Sequence, residues 1–479
     1  MSPPPPPGAG FATRHRPSDS WLTARVAVLS FIWPGLGHLA LRRPRAALVF
    51  AVAALVAILP LLWGLREGLE YFLASVLLVP DGSRLLIACA IASAVIRLVA
   101  MAHAIHLAGG VGRVRRTGAD RPSAGEHSRA TALLVTVLAL LILLPHLAVA
   151  WVGASFLDAS SQIYVGAPPT AGADGALPSA GTDTSGSDIG PLPTPNVTPQ
   201  AGGRINVLII GADSGLGYNH SLTDTMILVS VDPASRHVDM LSVPRDTSRF
   251  PMYNGGTYGG KLNSLVTWAA AHPQQFPDGG VGTLTREIGY MLGVPIHYYA
   301  FVNLAGFKAV IDAVGGIDIV NERAIQDANY QFPDGKFGFF LSAGQHHLDG
   351  RTALAYARSR YGPGDNDFTR ARRQQQMLQA LRVRLTDPAM LPNLPTLLQA
   401  LAKAVHTDYP AAGVPDLLRL GQQVGDQNVA HYVLGPPYAE VPANGGGTYM
   451  LVQDSAKIRA LSIRLFGKDS AFAASSPAP

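Results

Sequence analysis

Residues 205–246 read INVLIIGADSGLGYNHSLTDTMILVSVDPASRHVDMLSVPRD. Three apolar runs of strand length, 205–211, 226–232 and 238–243, are set off by glycine, proline and polar residues. A short continuous apolar run bounded by turn signals is the pattern of a strand buried in a sheet. The second and third runs are joined by Asp232-Pro233-Ala234-Ser235, a strong turn signal, which predicts a hairpin. The start of one hairpin strand lies beside the end of the other, so Asp224 and Arg245 become neighbours. With the first run antiparallel to the second, Asp213 reaches the same sheet edge. Three chemically distinctive residues from three strands then meet.

Asp213 and Asp224 are carboxylates at strand ends, flanked by Ser214, Thr223 and Thr225. A pair of oxygen ligands with few others suits Mg²⁺, which keeps several waters and shares its shell with phosphate; Mn²⁺ is the alternative ion. Aspartate beside a strand is also an ordinary turn residue, and Arg245-Asp246 is equally readable as a surface ion pair.

A second charged region lies at 354–376, LAYARSRYGPGDNDFTRARRQQQ. It places Arg358, Arg360, Arg370, Arg372 and Arg373 within sixteen residues of a chain that is only 14% charged. The spacing predicts a short helix over 349–356 behind an Asp-Gly turn, a loop around Gly362-Pro363-Gly364, and a longer helix capped by Asp367. On that helix Arg370, Gln374, Met377, Leu381 and Leu385 share one face, while Arg372 points away. An inward arginine is costly unless an anion meets it. The local acids are Asp365 and Asp367, and Asp367 is taken as the cap. Arg358, Arg360 and Arg370 are therefore read as a forked receptor for an exogenous polyanion, most naturally phosphate. Arg372 and Arg373 are read as solvated surface.

Other features are set aside. The glycine pairs 255–256 and 259–260 lack the lysine spacing of a phosphate-binding loop. His346-His347 has no metal-ligand spacing and reads as a loop pair. The stretch 304–314, LAGFKAVIDAV, followed by Gly315-Gly316, predicts an amphipathic helix with a glycine stop. The single cysteine, Cys89, lies in an apolar run and excludes a disulfide framework.

The first third of the chain differs in kind. Mean hydropathy is +0.20, and apolar runs at 46–63, 85–105 and 132–152 are long enough to cross a bilayer. A fourth, 26–41, is short and interrupted by Pro34 and Gly35, and reads as either a broken helix or a re-entrant segment. Residues 1–158 contain 14 Arg, no Lys and 7 acidic residues, a net +7 against +5 for the whole chain, so the remainder carries −2. The basic balance thus belongs to the membrane part and gives no nucleic-acid surface. Arg113, Arg115, Arg116, Arg121 and Arg129 crowd the loop before the last span, and no basic residue follows that span until Arg204. Positive loops stay cytoplasmic, which places the C-terminal part outside. The expected divisions are a disordered N-terminus at 1–23, a membrane region at 24–158, a flexible tether at 159–203, an outer domain at 204–467 and a disordered tail at 468–479.

The outer domain resembles the LytR-CpsA-Psr family of cell-wall glycopolymer ligases. The resemblance rests on NVLIIGADS, SLTDTMILVSVDP, MLSVPRDT, GGKLNS, LGVPIHYYAFVNLAGFKAVIDAVGGIDI, LDGRTALAYARSR and DFTRARRQQQ, which occur in family order. It implies an α/β outer domain with a central mixed β-sheet flanked by helices, here preceded by an all-α transmembrane region of three or four helices. It implies transfer of a phosphoryl-linked glycopolymer from a polyprenyl-pyrophosphate carrier in the bilayer to a peptidoglycan sugar hydroxyl. Asp213 and Asp224 would hold the metal. Arg245, Lys261, Arg358, Arg360, Arg370 and Gln374 match phosphate-contacting or conserved positions, and Asp367 an acidic position of open role. The base is open among Asp224, Asp246 and Asp367, and the prenyl chain is expected in an apolar pocket between sheet and helices. Leu222 stands where many members carry arginine. Hydrolysis of the same pyrophosphate, or a non-catalytic lipid-binding, glycan-binding or regulatory role, are the competing readings.

Overall fold

In the computed structural model the described residues are 19–114, 126–164, 199, 202–212, 222–442 and 449–473. They fall into two units divided near residue 155.

The first unit is helical: α1 (Asp19–Ile32), α2 (Leu36–Ala40), α3 (Pro44–Gly64), α4 (Leu69–Leu77), α5 (Pro80–Val114) and α6 (Glu126–Ile163). Three stretches, Pro44–Glu67, Pro80–Ala108 and Arg129–Ile163, are long and apolar enough to cross a membrane, and each contains one expected span. The segment 26–41 is two helices separated by a turn. Gly35 makes that turn with φ of 103°, and a Cβ there would lie 2.4 Å from the Ala47 carbonyl oxygen. Only glycine fits both demands. The last helix continues to Ile163, past the expected boundary at 158. Most of the expected tether lies outside the described residues.

The second unit is built on a six-stranded sheet. Its chain order opens with β1 (Ile205–Ala212), β2 (Thr223–Asp232), β3 (His237–Ser242), β4 (Ser248–Pro251) and β5 (Thr257–Lys261). Helices α7 (Leu265–Ala270) and α8 (Gly279–Leu292) lead to β6 (Tyr298–Asn303), α9 (Leu304–Ala313), β7 (Ile317–Asn321), β8 (Ile325–Gln331), β9 (Phe337–Leu341) and β10 (Gly344–Leu348). The remainder comprises α10 (Gly350–Arg358), α11 (Asp367–Leu385), α12 (Leu394–Ala404), β11 (Val405–Thr407), α13 (Val414–Gln423), β12 (Val429–Val433), β13 (Ala439–Glu440), β14 (Val452–Gln453) and α14 (Ser455–Phe466).

The sheet order is β11-β6-β1-β2-β3-β12. Strands β1, β2 and β3 are antiparallel neighbours, whereas β6 and β12 add in parallel, giving the mixed sheet expected. The apolar runs are continuous because both faces are covered. Leu208, Ile210, Met226, Leu228 and Leu241 enter one core with residues of α7, α8 and α14, including Leu265, Leu284, Ile288 and Ile458. Ile227, Val231, Val238 and Met240 enter another with Val424 of the α13 end. Burying each such side chain contributes about 1.5–3 kcal/mol.

Two expectations differ. His346 and His347 lie on β10 rather than in a loop, and His347 Nδ1 is 2.7 Å from Asp318 Oδ1 on the paired strand β7. Cross-strand pairing there is continuous from Gly344 to Leu348, so the pair is part of a ladder. The segment 468–473, expected in a disordered tail, is folded: Phe472 is 4% exposed and Ala471 N donates to Gly293 O at 2.8 Å. Burial of one phenylalanine and a backbone bond fix residues that composition alone marks as tail.

Candidate active site

The register of the sheet places the first half of the site. Ala212 pairs with Thr223 across β1 and β2, and Val243 N donates to Met226 O at 2.9 Å just beyond the end of β3. The start of β2 therefore adjoins the residues after β3, and Arg245 Nη1 donates to Asp224 Oδ1 at 2.6 Å. Asp213, one residue past β1, lies outside the described residues.

The Arg245-Asp246 turn is held by backbone bonds. Asn263 N donates to Arg245 O at 3.1 Å, Leu262 N to Thr247 O at 2.7 Å and Leu451 N to Asp246 O at 2.9 Å. These bonds bring the end of β5 alongside, so that Lys261 Nζ donates to Asp246 Oδ1 at 2.5 Å. Asp246 Oδ2 lies 3.7 Å from Arg245 Nε.

The second half comes from α10, α11 and the loop between them. Asp349 caps α10 through Thr352 N at 2.7 Å. Beyond the helix, the fully buried Asp327 of β8 accepts from Ser359 Oγ at 2.8 Å, Arg360 N at 3.1 Å and Tyr361 N at 3.2 Å. Burial alone would raise its pKa, but the Ser359 hydroxyl and the backbone amides outweigh it and hold the carboxyl below its ordinary value. Asp327 thus fixes the turn that carries Arg360.

The cap of α11 is Asn366, not Asp367. The Asn366 side chain accepts from Phe368 N and Thr369 N, both at 2.9 Å, in a reciprocal capping box with Thr369. Either residue type caps well; here the chain enters the helix one residue earlier. Asp367 is released from capping and stands 2.9 Å from Arg370 Nη1 and 3.8 Å from Arg360 Nη1.

Arg373 is likewise corrected from surface to interior. It is 7% exposed, bonds the Ser359 carbonyl, lies 3.5 Å from Asp365 Oδ2 and stacks over Tyr356. Its helical phase turns it toward α10, where it ties the two helices together. Arg372 is exposed as expected.

Helix α11 is seated on the sheet by the fully buried Gln375. Its Nε2 lies 2.8 Å from both Ser242 Oγ and Tyr432 O, and 3.2 Å from Met240 O. This contact at the end of β3 brings the first turn of α11 over Arg245. Gln374 donates to Ala357 O at 3.2 Å, linking α11 to α10. Arg358 closes α10 with its side chain exposed.

The two halves converge electrostatically. Burial alone would lower the Arg245 pKa, but Asp224, Asp367 and Asp246 outweigh it and hold the guanidinium above its ordinary value. Burial depresses Arg370, with Arg245 and Arg360 adding to the effect and Asp367 and Asp224 opposing it. The acids near these arginines are more numerous than the sequence suggested, because Asp367 is free and Asp246 faces inward. The pairing is nevertheless incomplete. Arg245 Nε and Arg370 Nε are buried without a hydrogen bond. An unmade bond at such a donor costs on the order of 1–3 kcal/mol. Tyr449, which composition did not single out, completes the rim: burial raises its pKa, and the charges of Asp367 and Asp246 raise it further.

Among the described residues no group of three or more His, Cys, Asp or Glu is placed to hold a metal. One carboxylate, Asp224, stands where the sequence reading put a ligand.

The arrangement is a sunken cluster of guanidinium and ammonium groups with carboxylates between them, suited to a multiply charged anion. Similar proteins share the region. The polyisoprenyl-teichoic acid–peptidoglycan teichoic acid transferase TagU of Bacillus cereus is 31% identical over 204 residues, 43% of this chain and 60% of TagU. That of Halalkalibacterium halodurans is 32% identical over 212 residues, 44% of this chain and 63% of the relative. The chain thus spans less than two thirds of the length of both. The crystal structure of B. subtilis TagV aligns with a TM-score of 0.46 at 22% identity, over 58% of this chain and 100% of TagV. A model of the LytR_cpsA_psr family matches residues 179–461, more than half of the chain, which belongs to the LytR-CpsA-Psr family.

Proposed function

We propose that the protein is a phosphotransferase that moves a glycopolymer phosphate from a polyprenyl-pyrophosphate carrier to a peptidoglycan sugar hydroxyl. The observation that carries this reading is the pair of buried, unbonded Nε donors on Arg245 and Arg370. A pyrophosphate offers enough oxygens to satisfy both without displacing the acids already present. The relatives named as teichoic acid transferases support the choice of reaction.

Phosphoryl transfer asks for charge neutralisation and in-line placement more than for covalent help. Arg245, Arg360, Arg370 and Lys261 bind and orient the phosphates. The acceptor oxygen attacks the sugar-proximal phosphorus, the bond to the bridging oxygen breaks, and polyprenyl phosphate leaves. Asp367, freed from capping and 2.9 Å from Arg370 Nη1, takes the hydroxyl proton. Asp224, with Asp213, would hold Mg²⁺ or Mn²⁺. One or two protein carboxylates suffice for such an ion beside phosphate, so the donor set fits. When bound, the ion would neutralise charge developing on the leaving phosphate.

The same reading puts the protein in the cell membrane as a three-span chain with its second unit outside, where a flipped carrier and the wall meet. The test uses the purified full chain in nanodiscs with a labelled lipid-pyrophosphate sugar, with and without peptidoglycan fragments and Mg²⁺. Label should appear on peptidoglycan only with acceptor and metal. Release of sugar phosphate to water at the same rate without acceptor would replace transfer by hydrolysis.

A further inference from the structure

A second cleft, open to solvent, lies among β4, β14, α8 and α14. None of the residues assigned to the pyrophosphate lines it. Two arginines do, Arg249 and Arg459, and among the described residues neither has an ion-pair partner.

Arg249 is placed there by a local irregularity. The β4–β5 register breaks between Ser248 and Phe250, and Arg249 adopts φ of 54°. A left-handed arginine is disfavoured, and a bulge re-aims the side chain it carries. Arg459 is positioned by stacking over Phe472, 5.1 Å from the ring centroid. Gln453 also lines the cleft, and its Nε2 is buried and donates to nothing. Ser455, also lining the cleft, is the first residue of α14, where the helix end favours negative charge. The neighbouring acid, Asp454, is offset by Lys457, whose Nζ lies 2.9 Å away. The floor is apolar, with Phe250 and Phe472 both nearly buried.

Forked guanidinium donors and a free amide above an apolar floor suit a planar anion on a hydrocarbon stem better than a fully hydrated phosphate. We infer that this cleft binds the terminal carboxylate of a short aliphatic peptide. Given the proposed transfer to peptidoglycan, on which this assignment of purpose rests, the cleft is a subsite for the acceptor's peptide. Arg249 is four residues from Arg245, at most about 14 Å along the chain, so one acceptor can reach both.

The probes are N-acetyl-alanyl-alanine, its C-terminal amide and inorganic phosphate, titrated against the full chain in nanodiscs by ligand-observed NMR. The acid should bind, with the amide at least about tenfold weaker, the equivalent of one lost charge-assisted bond. Arg249→Gln and Arg459→Gln should each weaken the acid by about tenfold, with melting temperatures matching the parent. Arg370→Ala should leave dipeptide binding intact while slowing transfer by about 10²–10³-fold, which keeps the two proposals separable. The inference is overturned by absence of binding, by equal binding of acid and amide, by binding that survives both arginine substitutions, or by phosphate displacing the acid at lower concentration.

Discussion

Removal of the Arg370 guanidinium takes away a buried cation that Asp367 and Asp224 only partly balance. Arg370→Ala should lower kcat by about 10²–10³-fold, the range for losing one preorganised charge donor, with a small change in melting temperature. Arg373→Ala, three residues on, should do the reverse. Its partners are Asp365, the Ser359 carbonyl and the Tyr356 ring, so its loss leaves the Ser359 carbonyl without this donor and Asp365 with Arg323 as its remaining arginine partner, 3.4 Å away. About 1–3 kcal/mol of stability is expected to go, read as a fall in melting temperature, with turnover per folded molecule little changed. Equal loss of turnover in both variants would contradict this division. The Arg245–Asp224 pair was legible in the sequence because hairpin geometry alone brings strand ends together. The roles of Arg370 and Arg373 were legible only in part. They depend on helix phase and on Asn366 taking the cap, and two adjacent good capping residues leave that choice to tertiary context. Asp327 gave no signal, since an aspartate in a polar strand looks solvated until the loop it receives is known.

Single elements carry two further expectations. Asn366→Ala removes the acceptor for Phe368 N and Thr369 N at the head of α11. It should cost about 1 kcal/mol and raise KM for the lipid substrate more than it lowers the melting temperature, because Asp367 and Arg370 sit on that first turn. Glu287 of α8 is fully buried, accepts from Tyr253 N at 3.2 Å, and burial pushes its pKa up to about 8. The folded state therefore keeps a proton that the unfolded state loses above its ordinary value near 4.5. Stability falls as pH rises through that window and levels off above about 8, a change on the order of a few kcal/mol. Melting temperature measured from pH 5 to pH 8.5 should drop for the parent, and Glu287→Gln should flatten the drop. A profile unchanged by the substitution would assign it elsewhere. The strands β1 to β3 and helix α9 were legible because pattern and turn chemistry are local. The three-residue β11 and the parallel β12 were not, because each exists only by pairing with a distant strand.

At the scale of the whole molecule the helical unit was the most legible, since three of its stretches are long and apolar enough to cross a membrane. Its orientation rests on arginine placement alone, and the chain supplies a clean way to test it. Cys89 is the single cysteine and is 7% exposed within the helical unit. In a Cys89→Ser background, Gln275→Cys lies on an exposed part of the second unit, and Arg121→Cys lies in the arginine-rich loop before the last span. A membrane-impermeant maleimide applied to intact cells should label the first and not the second, and detergent permeabilisation should make both reactive. Labelling of Arg121→Cys with protection of Gln275→Cys would put the arginine-rich loop outside and the second unit in the cytoplasm, out of reach of any wall acceptor. That single result would end the transfer reading even if the pyrophosphate site binds as proposed.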